Sequence, residues 1–218
     1  SAEVPSFGEN IFPAGSIFNA RMQTATTFEI GTRGRKPDLT WDVALYRANI
    51  ENELQCVSPV DNAASCTVVN ADRTIHQGLE LGLGLAVWNS LFVGGARPDK
   101  LWLNLAYTFS DFRFDNDVLY GNNQLPGAPR HYLRAELLYR HPSGAYLGPN
   151  VEWVPEAYYV DSKNTLATEA YALLGFKAGY DPAKNVSFYI EGRNLADTHY
   201  IASTGITNAA AAAATALF

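Results

Sequence analysis

The sequence predicts an all-β fold: an antiparallel transmembrane β-barrel, present here as a partial barrel of about eight to ten strands. Three observations predict it. Apolar and polar residues alternate along most of the chain, and successive side chains of a strand point to opposite faces. The alternating segments run to ten residues or more, whereas soluble strands average about five or six and strands that cross a bilayer at a tilt need about 9–11. Tight turns alternate with long polar loops, the layout of outer-membrane barrels.

Eight strands follow in order. TFEIGTR, within 25–34, sets Phe28 and Ile30 against Glu29, Gly31 and Arg33. WDVALYRANI, within 38–54, is strand-like, but its parity blurs after Leu45, as at a bulge. GLELGLGLAV, within 72–88, sets Leu79, Leu81, Leu83 and Leu85 against His76, Gly78, Glu80, Gly82 and Gly84. LWLNLAYTF, within 100–114, sets Leu101, Leu103, Leu105, Tyr107 and Phe109 against Trp102, Asn104, Ala106 and Thr108. HYLRAELLYR, within 129–141, opposes Leu133, Ala135, Leu137 and Tyr139 to Arg134, Glu136 and Arg140. The segments 145–160, 165–180 and 185–196 repeat the pattern. There Leu147, Val151, Trp153, Leu174, Phe176, Phe188 and Ile190 oppose Gly148, Asn150, Glu152, Gly175, Lys177, Glu191 and Arg193.

GRKPD, HPSG and DPAKN are tight turns built on Pro, Gly, Asn or Asp. Longer loops fall at 55–71, 114–128 and 197–212. The connection near 161–164 reads as short, and the one at 89–99 is long on the tight-turn side.

A soluble barrel also alternates, so other features must decide what the apolar face meets. The polar face is rich in Gly, Ala and Ser and poor in Lys, unlike a solvated exterior. The apolar row from Leu101 to Phe109 covers roughly 26 Å along the strand, or about 20 Å when tilted, close to the ~25 Å lipid-facing band of such barrels. Tyr139, Tyr180 and Phe109 end apolar rows, as aromatics do at the two membrane interfaces. The reading is that the apolar face meets outer-membrane lipid. The nine charged residues Glu29, Arg33, Glu80, Arg134, Glu136, Glu152, Lys177, Glu191 and Arg193 then face a wet lumen.

Composition limits the rest. Hydrophobic residues make up 47% and charged residues 17%, the latter below the roughly 25% of soluble globular proteins. The net charge is -6 with no basic stripe, which argues against a nucleic-acid partner. No apolar run reaches the ~18 residues of a transmembrane helix. No signal-peptide pattern opens the chain, so it reads as mature or as beginning within a longer protein. The four histidines, His76, His131, His141 and His199, show no HExxH spacing, and no GxSxG elbow occurs. No catalytic residue, metal site or cofactor is assigned. GLGLAV lacks the third glycine of a dinucleotide fingerprint.

Cys56 and Cys66 bracket a Ser/Asn/Asp-rich segment and read as a disulfide closing a loop in an oxidising compartment, with two free thiols as the alternative. Long loops are the place to look for binding. Tyr120, Asn122 and Asn123 in FDNDVLYGNNQLPG, Tyr158 and Tyr159 in EAYYVDSKN, and His199 in ADTHYIAS are the candidate ligand contacts. Tyr can stack on a bulky chelate while Asn donates and accepts. These residues equally suit an outer interface belt or solvated loops.

The stretches TTFEIGTRGR, WDVALYRANIENEL, NADRTIHQGLELGL, LNLAYTFSDF, LPGAPRHYLRAELLYRHPSG and SFYIEGRNLADTHYIAS occur in this order. Together, over roughly residues 4–204, they resemble the C-terminal half of the barrel of TonB-dependent outer-membrane receptors. The resemblance implies a plugged barrel of about 22 strands, of which this chain is a C-terminal part, in the bacterial outer membrane. It implies a cargo such as a ferric siderophore or similar metal chelate. It also implies a TonB energy-transducing partner acting through an N-terminal region and plug that precede residue 1. A passive pore, a membrane-embedded barrel hydrolase and a soluble ligand-binding barrel are the competing classes. ITNAAAAAATALF departs from the family pattern at the run Ala209–Ala214. The last strand looks to be missing there, and the alanines read as stand-ins for unidentified side chains.

Overall fold

In the computed structural model, residues 1–3, 20–57, 67–182, 186–201 and 205–206 are described. They form one nine-stranded sheet, a meander in which every strand pairs antiparallel with its sequence neighbours. The strands are β1 (Ala2–Glu3), β2 (Gln23–Lys36), β3 (Leu39–Val57), β4 (Thr67–Asn89), β5 (Lys100–Phe114), β6 (His131–Arg140), β7 (Ala145–Val154), β8 (Tyr171–Tyr180) and β9 (Phe188–Gly192). β1 and β9 are its edges, so the sheet is open among the described residues. No described helix is long and apolar enough to cross a membrane.

Register turns the sequence alternation into two chemical faces. Thr32, Val43, Leu81, Tyr107, Leu133, Trp153 and Ala172 lie in one cross-strand row. Leu101, Tyr139, Leu147, Ala178 and Ile190 lie in another. No second layer covers these rows among the described residues. Leu45, in the middle of β3, is 53% exposed, and Leu174 in β8 is 52% exposed. Leu101, Leu103 and Leu105 are half-buried by their own neighbours in the sheet rather than enclosed in a core. In water an uncovered face of this extent would cost about 25 cal/mol per Å².

The opposite face carries rows such as Arg33, Asp42, Gly82, Ala106, Arg134, Glu152 and Leu173. Its glycines make room for large cross-strand neighbours. A Cβ at Gly179 would meet the Tyr146 ring, and one at Gly78 would meet Tyr46 and the backbone of Phe109.

The polarity of the faces inverts beyond the row Ile30–Leu45–Leu79–Phe109. One step further out, the formerly apolar face still presents Phe28 on β2 but then Arg47, Gln77 and Asp111, joined by Arg47 Nη1 to Gln77 Oε1 at 3.0 Å and Gln77 Nε2 to Asp111 Oδ2 at 2.7 Å. On the other face there Ile50 and Phe114 are buried, with Thr74 between them and His76 beside it both bonded to the Glu53 carboxylate. This inversion, and no bulge, blurs the pattern after Leu45. The register shifts between Ala86 and Trp88, while at Asn52, with a left-handed φ of 53°, the β3–β4 register is kept on both sides.

The buried core collects beyond the same boundary. Ala71, Phe114 and Leu125 form its centre, with Phe112 and Tyr120 packed against them.

Three strand boundaries are corrected. β7 ends at Val154, not 160, and β8 begins at Tyr171, not 165. The connection is therefore 155–170 rather than a short one near 161–164. The buried Asp161 carboxylate accepts from the backbone N–H groups of Thr165 at 2.8 Å and Leu166 at 3.0 Å, which holds a turn where a strand was expected. β9 ends at Gly192 because Asn194 and Asp197 take left-handed φ angles of 50° and 51°. The Asn194 amide closes that turn on the backbone of Thr198.

Cys56 is disulfide-bonded, and the sequence holds one other cysteine, Cys66, which lies outside the described residues. The run Ala209–Ala214 also lies outside them.

Candidate functional site: the polar face and the long-loop end

The charged residues singled out in the sequence share one face. Glu29, Arg33, Glu80, Arg134, Glu136, Glu152, Lys177 and Glu191 all have the register parity of the polar rows. Arg193 follows β9 directly and pairs with Glu191 at 3.3 Å.

Between β5 and β9 this face forms a cavity of about 390 Å³, lined by Asn104, Arg134, Glu136, Asn150, Glu152, Lys177, Glu191 and Arg193, among others. Lys177 Nζ lies 3.7 Å from Glu136 Oε2, and Asn104 Nδ2 donates to Glu136 Oε1 at 3.1 Å. Asn150 Nδ2 is buried there with no acceptor among the described residues. Such a surface offers both signs of charge and free hydrogen-bonding capacity to whatever polar body or water fills the space beside it. No described group of His, Cys, Asp or Glu has the geometry of a metal site.

The loop candidates meet at the other end of the molecule. The 115–130 loop first prolongs β5: Phe114 N donates to Asn123 O, and Leu125 N to Phe112 O, each at 2.9 Å. Its tip is a turn in which Asp117 and Gly121 exchange both backbone bonds. Asp117 Oδ1 also accepts from Leu119 N and Tyr120 N. Loop 155–170 docks on it. Asn164 bonds both backbone groups of Gln124 at 2.9 Å, Asn123 Nδ2 donates to Ser162 O at 3.0 Å, and Gly127 N donates to Tyr159 O at 2.8 Å. The two loops are one structural body.

The structure thus brings Tyr120, Asn123, Tyr158 and Tyr159 into one assembly, with Asn122 on its surface, but most of them are engaged within it. Tyr158 is buried, and the Tyr120 ring packs on Phe114 at a 35° tilt with ring centroids 4.8 Å apart. Burial raises the Tyr120 phenol above its ordinary pKa, and the Asp117 charge adds to the shift. Asn122 Oδ1 accepts from Asn116 N at 3.0 Å. Tyr159 is half-exposed and Asn122 is exposed. His199 is exposed on the segment after β9, and no described hydrogen bond joins it to the loop pair.

The sequence reading placed Asn104 and Asn150 on the polar face without making them site candidates, counted Asp161 with the tyrosines of EAYYVDSKN, and did not single out Asn164. The first two were legible, since both sit at polar-face parity inside recognised strands. The latter two had only the DSKN spacing as a signal.

Known proteins resemble this arrangement. The model of the family described as TonB dependent receptor-like, beta-barrel matches residues 1–195. A curated relative from Acinetobacter baumannii, named "Probable TonB-dependent siderophore receptor PiuA", is 24% identical over 192 residues, 82% of this chain and 24% of the relative. Among solved structures, the siderophore receptor PiuA from Acinetobacter baumannii superposes with a TM-score of 0.61 at 21% identity, covering 88% of this chain and 28% of that one. The copper transporter OprC gives 0.69 at 15% identity, covering 95% and 31%. The chain therefore spans between about a quarter and a third of the length of these relatives. With an uncovered apolar face, a charged opposite face and this match over most of its length, the chain belongs to the TonB-dependent receptor β-barrel family of the bacterial outer membrane.

Proposed function

We propose that this chain is the C-terminal part of the barrel of an outer-membrane receptor that binds and imports a ferric siderophore or similar metal chelate. The observation that carries the reading is the pairing of an uncovered apolar face with a mixed-charge face across the same strands. Lipid accounts for the first, and a water-filled or plugged lumen for the second. In this reading Glu29, Arg33, Glu80, Arg134, Glu136, Glu152, Lys177, Glu191 and Arg193 face the lumen, where the cavity residues contact a polar plug or its water. The docked loops form part of the outer mouth, with Tyr159 and Asn122 as its accessible candidate contacts. A TonB energy-transducing complex acts through the receptor's N-terminal region. The chelate is cargo, and no cofactor is required.

Siderophore receptors among the relatives support the cargo class. The test is uptake of radiolabelled iron from defined ferric chelates by cells with and without the gene under iron limitation, with a copper arm alongside. Loss of uptake of one ferric chelate on deletion, restored by the gene and abolished without TonB, is the expected result. Unchanged iron uptake from every chelate, with copper accumulation reduced instead, would replace the cargo assignment.

A further inference from the structure

Residues 90–99 join β4 to β5 at the end of the sheet where β2–β3 and β6–β7 are joined by tight turns. This loop is folded. Asp99 is fully buried, and its Oδ2 accepts from Phe92 N at 2.9 Å and from the Tyr139 hydroxyl at 2.8 Å. Its backbone closes the loop: Ser90 N donates to Asp99 O at 2.9 Å, and Asp99 N to Val93 O at 3.1 Å. Ser90 and Gly95 take the left-handed φ angles, 60° and 93°, that this path needs.

The tether has a direction. Tyr139 sits on the apolar face, in register with Leu101 and Leu147. Bonding Asp99 to its hydroxyl draws the loop to that face rather than to the charged one. The Phe92 ring meets Tyr139 edge-on, with centroids 5.7 Å apart. Yet Phe92 remains 78% exposed, with Leu91 and Trp88 also exposed. Trp88 is in register with Leu101, so this apolar group is continuous with the lipid-facing rows.

In water, a buried carboxylate spent on holding a phenylalanine outward gains nothing, because the exposed ring carries a cost of about 25 cal/mol per Å². At a bilayer boundary the same geometry is favourable: aromatic rings settle at headgroup level, and interfacial segments sink about 5–10 Å into the headgroup and acyl boundary. The exposed Arg97 on the same loop suits an anionic headgroup.

We propose that residues 90–99 form a lipid-inserted foot, in which the Asp99 tether seats Phe92 and Leu91 in the phospholipid of the periplasmic leaflet beside Trp88 and Tyr139. The inference rests on the membrane placement of the sheet and is independent of the cargo.

The test is nitroxide depth measurement on the full receptor in vesicles of phosphatidylethanolamine and phosphatidylglycerol. Phe92→Cys carries the label, Leu147→Cys is the lipid reference, and Val118→Cys is the aqueous reference. Cys56, being disulfide-bonded, does not take the label. Relative accessibility to oxygen over a water-soluble nickel complex should be several-fold higher at position 92 than at position 118, and nearer the Leu147 value. A ratio nearer the position 118 value overturns the foot. Adding Asp99→Ala to Phe92→Cys should lower the ratio toward the aqueous reference, and an unchanged ratio overturns the tether. Should Asp99→Ala fail to yield the heat-modifiable folded band, Tyr139→Phe, which removes one donor and keeps the ring, gives the same reading.

Discussion

The middle of the sheet and its long-loop end obey opposite rules. In the middle, side chains are apolar outward and charged on the other face, and the apolar face has no protein over it. Past the row of Ile30, Leu45, Leu79 and Phe109, the outward side chains of β3, β4 and β5 are Arg47, Gln77 and Asp111, beside the exposed Phe28 of β2, and Phe114 is buried on the other side. The strands continue through the switch without breaking register from Ile30 to Ala25 or from Leu79 to Thr74. Backbone geometry is thus common to both regions, and only the solvent differs. On the proposed membrane placement, hydrocarbon surrounds one and water the other, so protein stability is stored differently in each. The loop end holds itself together by packing, as a soluble protein does. The mid-sheet relies on lipid and on ladder hydrogen bonds closed within the sheet.

Four substitutions sharpen that contrast, from the largest expected effect to the smallest. Phe114→Ala removes a fully buried ring from the loop-end core. It should cost about 3–5 kcal/mol, read by urea unfolding of the receptor in bilayers. Leu174→Arg places a charge on the apolar face near mid-strand, in the row of Leu83, Leu105 and Val151. It should cost about 2–4 kcal/mol in lipid, measured the same way. A cost near zero would mean that this face meets water, and would break the comparison.

Asn164→Gly keeps the left-handed backbone, φ 55°, but deletes both bonds to Gln124. A loss of about 1–2 kcal/mol is expected, together with faster protease cleavage in 155–170. Val118 stands 98% exposed at the tip of the 115–130 loop. Val118→Arg should change stability by less than about 0.5 kcal/mol, although it is the same kind of substitution as Leu174→Arg. The difference between those two arginines measures the solvent difference directly.

Legibility in the sequence follows the same division. The seven long strands, the short β9 after them, their parity and the shared face of the charged residues were readable because one periodicity, two residues, runs through all of them. Strand ends were less readable. The segment 155–170 carries the strand-favouring residues Tyr158, Tyr159, Val160 and Leu166, yet Asp161 and Asn164 convert it into a docked loop. The candidate Tyr158 carried a recognisable residue type in a recognisable place. Only the docking of two loops distant in sequence shows it to be buried. Asp99 gave no signal, since its role depends on Tyr139, forty residues away.

By itself, then, the sequence determined which residues share a face, and hence that one side of the sheet must be hidden from water. Alternation suffices for that, because a strand has only two sides. The tertiary structure decided where the uncovered apolar rows stop, which loops lock together and which way the 90–99 loop folds. Each of those depends on groups far apart along the chain meeting in space, and a two-residue period carries no record of such meetings.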